Sequence, residues 1–571
     1  MQACWLESLL MNDAMNLNRR EFLAASGSAG LMLALGGCRH FRDGFETRLE
    51  SPSQASPNYW CTWDGQSAVM KAEGKDGRRV APRFAGDQGG TTRDWMNEEL
   101  VFGPNGYASQ FPGLREDLFL VLDDGWDVPY GATPSGTRGV HLFGRMVPHA
   151  SRFPSLKGTP GEKIAVLAAR TRDFGWRGLG LWVSPTVQGG CETVRAECPE
   201  SAGLDAREEW KRKLAWCAEG GVGYLKVDWG TRHGSAEFRA MLSDIKNEIA
   251  PHVIIEHCCC QPPFNGVGMY VQSSHDRPQG SRRLVGDADA ELRAFERQVL
   301  PKSDVWRIYD MYGNLVSTQS VERIACDLSL CEATGSRAVV STEDSLYAGA
   351  TLGCAYGIMR SALGRPKPGC DSDPSGRLVE VKRAVRWSRL APAFPATPGF
   401  EVRWSERTLS ERTVVKSGYW YAQMAGKPCV QEAPAVVSRG LPLPDVSCAG
   451  EAPYVLAARH PNGAVSVAAL PRHAADGRWS AHRADVRMEA RMDEGRPLGV
   501  FGRFGALTVA APANVRVLAR DLAGGCERDI TAACRHADGW WTLPGDRLEQ
   551  VGGELTDDKS LPAALVRFAG A

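Results

Sequence analysis

The sequence predicts an α/β fold, a (β/α)8 TIM barrel followed by a C-terminal all-β sandwich. Three observations carry that prediction. Strand-like and helix-like segments alternate from about residue 57 to about residue 385, and such alternation implies a parallel sheet with helices packed outside it. Acidic residues repeatedly close the strand candidates, at Asp123/Asp124, Asp228, Glu256, Asp310 and Asp344, which is where such a barrel collects its chemistry. Past residue 386 the helical spacing stops, Pro392, Pro395 and Pro398 cluster, and short alternating runs follow. An open doubly wound sheet would instead want a glycine-rich phosphate loop after an early strand, and no such loop is found.

Residues 58–385 are assigned to the barrel and 386–571 to the sandwich, after a targeting segment over 1–37 and a polar tether over 38–57. Tyr59-Trp60-Cys61-Thr62-Trp63 predicts a first strand ending in aromatic residues. Leu118–Leu122 is a continuous apolar run, suited to a strand buried on both faces. Thr159-Pro160-Gly161-Glu162 carries a capping threonine, a proline at the first helical position and a glutamate at the third, so a helix starts there and stops near Gly175. Strands are expected over Gly178–Ser184, Gly223–Gly230, Val253–His257, Val305–Asp310 and Arg337–Ser341, with an eighth inside Ala350–Leu363. Helices are expected over Leu204–Glu219, Ser235–Ala250, Asp287–Leu300 and Val321–Thr334. In the C-terminal region Tyr454–Ala458 and Ala464–Leu470 flank Pro461-Asn462-Gly463, a hairpin turn. Ala506–Ala510, Val515–Ala519 and Trp540–Leu543 are further short strands.

The chain of 571 residues balances 67 Lys+Arg against 67 Asp+Glu. A neutral chain offers no electrostatic footprint for a nucleic acid or an anionic membrane. The N-terminus is a targeting segment rather than fold. Asn18-Arg19-Arg20-Glu21-Phe22-Leu23 resembles the twin-arginine export motif, with Met11 and Met15 as alternative starts. Phe22–Leu35 is too short to span a bilayer as a mature helix. It ends in Leu35-Gly36-Gly37-Cys38, which looks like a lipobox whose cleavage leaves Cys38 as a lipid-modified first residue. The expected location is periplasmic or cell-surface, with membrane contact only through that lipid. Setting aside Cys4 and Cys38 leaves fifteen of the 17 cysteines, an odd number, so at least one lacks an intramolecular partner. Cys191/Cys198 and Cys526/Cys534 are close enough in sequence to pair, while many of the others suit burial as thiols. The sequence does not set the oligomeric state.

The chemistry centres on Gly223–Gly230, GYLKVDWG. On a strand, Lys226 and Asp228 point to the same side, and Asp228 stands at the strand's C-terminal end. A nucleophilic carboxylate and a buried Lys–Asp ion pair both fit this strand taken alone. The other strand ends decide. Trp60-x-x-Trp63, Asp123-Asp124-Gly125-Trp126, Lys226-x-Asp228 and Trp306-Arg307-Ile308-Tyr309-Asp310 occur in that order. Over residues 57–345 this set resembles glycoside hydrolase families 27 and 36, the α-galactosidase-like barrels of clan D, in which a C-terminal β-domain also occurs.

That resemblance implies a retaining α-glycosidase, which needs two carboxyl groups about 5–5.5 Å apart. Asp228 would be the nucleophile and Asp310 the acid/base, with Asp304 and Asp344 as fallback acids. Asp123 and Asp124 would grip the 4- and 6-hydroxyls of a terminal sugar. Glu256 and Arg307 would bind at the 2-position, and Lys226 and Arg307 would keep Asp228 ionised. Trp63 and Trp126 would form apolar walls, while Trp182 fits the core better than the site. The R-x-x-D spacing of Arg307 and Asp310 is closer to family 36. Family 27 often carries cysteines where this chain has Gly125-Trp126 and Trp229-Gly230, which leaves the sugar open. A related α-glucoside hydrolase or transglycosylase and a catalytically inactive carbohydrate-binding surface lipoprotein are the alternatives. No cofactor or metal is expected. His257-Cys258-Cys259-Cys260 cannot all face one ion, because adjacent strand residues point to opposite sides. Ser273-Ser274-His275-Asp276 lists triad residue types without triad geometry. Asp371-Ser372-Asp373 lacks the pattern of a helix–loop–helix calcium site.

Overall fold

The computed structural model describes residues 48–75, 92–134, 139–258, 294–308, 316–366, 368–371, 373–414, 428–473, 478–480 and 482–570. Eight parallel strands close into a barrel in chain order: β1 (Tyr59–Cys61), β2 (Phe119–Leu122), β3 (Gly178–Val183), β4 (Tyr224–Val227), β5 (Ile254–Cys258), β6 (Val305–Arg307), β7 (Val339–Glu343) and β8 (Ala355–Ile358). Pairing of Tyr59 with Gly357 joins β1 to β8. The strands are short and buried throughout, apart from partly buried first residues in β5 and β7. Continuous apolar runs are the signature of strands covered on both faces.

The barrel helices start where the sequence provides caps. Thr159 Oγ1 accepts from the Glu162 amide at 3.2 Å and Glu162 Oε2 accepts from the Thr159 amide at 2.8 Å, opening the helix Pro160–Asp173. Asp205 and Glu208 form the same reciprocal box before Ala206–Gly220, which Gly221 ends in the left-handed conformation at φ 68°. Ser235 caps Ala236–Ile249. Several boundaries differ from the sequence reading. Trp63 opens the helix Trp63–Lys75 rather than closing β1, β6 stops at Arg307, and β7 runs to Glu343. Of the helix expected over 287–300, residues 294–299 are helical and 287–293 lie outside the described residues.

Inside the barrel, alternate residues project inward and form layers. The lower layer is aromatic. Tyr59 and Tyr224 rings lie 5.1 Å apart and Phe119 and Tyr224 rings 5.5 Å apart. Neighbouring glycines make room for them. A Cβ on Gly223 would meet Phe119 at 2.4 Å, one on Gly357 would meet the Tyr59 hydroxyl at 2.3 Å, and one on Gly180 would meet Val121 at 2.7 Å. Above the rings lie Cys61, Asp123, Lys226, Glu256, Arg307 and Glu343. His257 faces the other way, against Arg239 at 3.2 Å and Ser243 at 3.0 Å, so His257 and Cys258 lie on opposite sides of β5; Cys259 and Cys260 lie outside the described residues. Among the described residues no His/Cys/Asp/Glu group is placed to hold a metal ion, and no helix is long and apolar enough to cross a membrane. Cys191, Cys198 and Cys534 are free thiols, so neither pairing that the spacing allows is formed. Cys191 turns instead to the Thr193 hydroxyl at 3.1 Å, and Cys534 to the Ile530 carbonyl at 3.4 Å.

The C-terminal region is built from an eight-stranded and a five-stranded sheet, with two small two-stranded sheets beside them. The expected hairpin is present: Tyr454–Arg459 pairs antiparallel with Val465–Leu470, and Gly463 takes φ 84° in the turn. The strand Ala484–Arg491 of the five-stranded sheet alternates buried and exposed residues along its length, whereas Val465–Leu470 of the eight-stranded sheet is buried throughout. The difference follows from what covers each sheet. The eight-stranded sheet meets the barrel through Leu346–Leu352 and Val379–Leu390, where Phe501 packs 5.0 Å from Tyr347 and 5.9 Å from Trp387. On its other side Phe568 approaches Trp541 of the five-stranded sheet at 6.4 Å.

Polar bonds tie the same junction. Arg383 grips Asp521 through two bonds of 2.8 and 2.7 Å, both side chains fully buried. Ser466 donates to the Thr351 carbonyl at 2.7 Å, and Arg439 to the Leu352 carbonyl at 2.9 Å. Removing one partner of a buried pair leaves an uncompensated charge, at a cost of about 3–5 kcal/mol. Asp521→Ala is expected to lower stability by that amount, read as the shift in unfolding midpoint in a denaturant titration.

Candidate active site

The site is assembled by the C-terminal ends of the barrel strands. Its floor is a layer of three carboxylates, Asp123, Glu256 and Glu343, interleaved with two cations, Lys226 and Arg307. Lys226 Nζ lies 2.9 Å from Asp123 Oδ2 and 3.1 Å from Glu343 Oε1. Arg307 Nε lies 3.2 Å from Glu256 Oε1, and its Nη1 is bound to Glu343 Oε2. Charge-assisted bonds of this kind hold both partners in fixed geometry. Burial pulls the Lys226 ammonium down, but Asp123, Cys61 and Glu343 outweigh it and hold the group well above the ordinary lysine range.

The hydroxyls below complete the floor. Tyr59 donates toward Glu256 Oε1 at 3.1 Å and Glu343 Oε1 at 3.2 Å, and Tyr224 donates to Glu256 Oε2 at 2.7 Å. Burial, reinforced by the Glu256 charge, pushes both phenols well above their usual range, so they stay protonated as donors. Two thiols join the layer. Cys61 donates to Asp123 Oδ2 at 2.8 Å, and Cys258 donates to Glu256 Oε1 at 3.4 Å. Burial pushes both thiols well up.

Asp228 stands above this floor, immediately past β4. It is 8% exposed, the highest value among the acidic residues of the site. Its amide donates to the Val183 carbonyl at 2.9 Å and its own carbonyl accepts from Arg239 at 3.1 Å, which pins the backbone. Trp182 Nε1 donates to Asp228 Oδ2 at 3.1 Å, and Arg307 Nη2 lies 3.7 Å from the same oxygen. Trp182 was expected in the core. It is buried, and it also bonds the central carboxylate.

The Asp123-Asp124-Gly125-Trp126 turn follows β2. Gly125 takes φ 119°, a conformation that side chains disfavour, and a Cβ there would sit 2.3 Å from the Arg93 carbonyl. Asp124 is bound by Arg93 at 2.9 and 3.2 Å through Oδ2, while its buried Oδ1 has no hydrogen-bond partner. The Arg93 guanidinium lies 5.0 Å from the Phe143 ring centre and 5.8 Å from Trp229. Trp229 in turn packs against Phe143 at 4.9 Å and Trp182 at 5.3 Å. Trp63 and Trp229 are partly buried against this cluster.

Asp123, Lys226, Glu256, Arg307 and Asp228 come together. Trp126 does not line an opening as expected: its indole is fully buried and donates to the Trp182 carbonyl at 2.9 Å, so it supports the wall from behind. Glu256 is also fully buried, with both oxygens engaged by protein groups, which makes it part of the floor rather than a reachable sugar ligand. The fallback acid Asp304 sits before β6, bound to Lys246 at 2.8 Å and the Ile255 amide at 2.9 Å, away from the strand C-termini. Asp344 holds φ 57° and lies 3.5 Å from Arg360. Asp310 and Cys38 lie outside the described residues. Sequence reasoning missed Glu343, Tyr59, Cys61 and Arg93. Glu343 shares an inward face with Val339 and Ser341, and continued alternation would have found it; Arg93 has no such signal.

Burial pushes the Asp124 carboxyl up to about 6, against the pull of Arg93. Its unfolded value is about 3.9, so its contribution to the fold is complete below that value and is lost as pH rises through 6. The stability of the wild type relative to Asp124→Asn is expected to fall by about 2–3 kcal/mol between about pH 4 and pH 8. Denaturant midpoints at the two pH values check this.

No protein-family model matches the chain, and no curated protein matches it. Among solved structures, it is similar to a GH27 β-L-arabinopyranosidase from Geobacillus stearothermophilus, at 10% identity over 93% of this chain and 99% of that one, with a TM-score of 0.38. An isomalto-dextranase from Arthrobacter globiformis T6 complexed with panose matches at 10% identity, 92% and 74% coverage and a TM-score of 0.39. An Anoxybacillus α-amylase matches at 8% identity, 90% and 99% coverage and a TM-score of 0.33.

Proposed function

We propose that the chain is a retaining α-glycosidase acting on terminal α-linked sugars, α-galactosides first among them. One observation carries the reading: Asp228 stands at the mouth of the barrel, its backbone pinned, one carboxylate oxygen held by Trp182 at 3.1 Å and facing Arg307 at 3.7 Å. A carboxylate so oriented can attack an anomeric carbon and form a glycosyl ester. Asp310, three residues past the end of β6, would give its proton to the leaving oxygen. It would then take one from the water that cleaves the ester, which regenerates both carboxyls. Asp123 and Lys226 would hydrogen-bond sugar hydroxyls at the pocket base, and the vacant Oδ1 of Asp124 would accept another. Trp63 and Trp229 would face the apolar side of the ring.

Export through the twin-arginine pathway, with lipid attached at Cys38, belongs to the same proposal. Cys38→Ser is expected to abolish labelling by radioactive palmitate and to release the protein from the membrane fraction.

The activity test is a panel of aryl α-glycosides given to residues 39–571. One of them should be turned over with retention at the anomeric carbon, seen by NMR of the first-formed product. Asp228→Asn should lower kcat by at least a thousandfold, about 4 kcal/mol of barrel-assisted stabilisation lost, while thermal unfolding stays within a few degrees of wild type. Retained activity in that variant, or an inverted product, would exclude Asp228 as nucleophile.

A further inference from the structure

We infer that Glu343 is a positioning residue for the proposed nucleophile, acting through Arg307; this rests on the reading of Asp228 above. Glu343 is the last residue of β7 and spans both cations of the floor, with Oε1 at 3.1 Å from Lys226 and Oε2 bound to Arg307 Nη1. Lys226 comes from β4 and Arg307 from β6, so one carboxylate fixes two side chains carried by different strands. Both oxygens are engaged and the side chain is buried, so Glu343 does not offer itself as a nucleophile or proton carrier.

Its effect on Asp228 follows from the geometry of the guanidinium. Arg307 is held away from Asp228 by Glu256 on Nε and by Glu343 on Nη1, leaving Nη2 3.7 Å from Asp228 Oδ2. That distance is too long for a direct hydrogen bond but within reach of an ion pair. Without Glu343, Arg307 retains Glu256 as its floor anchor and turns toward Asp228, the other carboxylate paired with it among the described residues. A bidentate Arg–carboxylate pair would occupy the oxygens needed for attack. The other groups facing these two acids among the described residues are Tyr59, Cys61 and Lys226 on the Glu343 side, and Trp182 and Cys258 on the Asp228 side. Trp182 and Cys258 carry no positive charge that could take the place of Arg307.

The test uses the full mature chain and the aryl glycoside turned over best in the panel. Glu343→Gln is expected to lower kcat at least a hundredfold with KM changed less than threefold. Its crystal structure should show Arg307 within hydrogen-bond distance of Asp228. In an Arg307→Lys background the same substitution should change kcat less than threefold, because the route through the guanidinium is already gone. Equal effects in the two backgrounds, an unmoved Arg307, or a wild-type kcat would overturn the inference. Should Glu343→Gln not fold, Glu343→Asp keeps the charge but is one methylene too short to span both cations, and the same outcomes apply. Asp228→Asn run alongside separates the two ideas: if it retains full rate, the nucleophile reading fails; if it is inactive while Glu343→Gln is not, only the role of Glu343 fails.

Discussion

The structure depends on a sheet of charge sealed inside an apolar barrel. Three carboxylates and two cations lie on a bed of three aromatic rings, and each acid meets a cation. Charges taken out of water are stable only when their partners are in place. The floor therefore fixes strand register as firmly as packing does. A one-residue slip in β4 would turn Lys226 outward, leaving Asp123 without its cation and Glu343 with Arg307 alone. The same requirement explains two glycines of the layer beneath: the Tyr59 hydroxyl needs the space a side chain at 357 would take, and the Phe119 ring that at 223.

Much of this was legible in the residues. The alternation of strand and helix, the Thr159 capping box and the Asn462-Gly463 turn are local signals, and they appear where the sequence placed them. Lys226 and Asp228 were marked by charge within an apolar strand, and both face the barrel interior. What escaped has a common cause. The roles of Trp126 and Trp182 differ only in which face of the wall each ring meets, and that is settled by tertiary packing. Strand ends were harder still. β7 reaches two residues past its expected end at Ser341, so its terminal glutamate was passed over in favour of the next acid, Asp344. Arg93 belongs to the short 3-10 helix Thr92–Trp95, where no period predicts its neighbours.

The barrel and the C-terminal sheets are joined as parts of one packed body. Arg383 and Asp521 meet with no exposure to solvent, and Phe501 is wedged against Tyr347 and Trp387. The eight-stranded sheet thus has barrel helices on one face and the second sheet on the other, which is why several of its strands lack the alternation seen at Ala484–Arg491. Such a junction steadies the loop after β7 from below, since Tyr347 also donates to the Leu561 carbonyl at 2.8 Å.

The two sulfur atoms of the floor have a chemical consequence of their own. Oxidation of cysteine proceeds through the thiolate and needs an approach path. Cys61 and Cys258 have neither, for burial suppresses ionisation and each S–H is already given to a carboxylate. They are unreactive spacers, so the charged floor should keep its shape in reducing and oxidising surroundings alike.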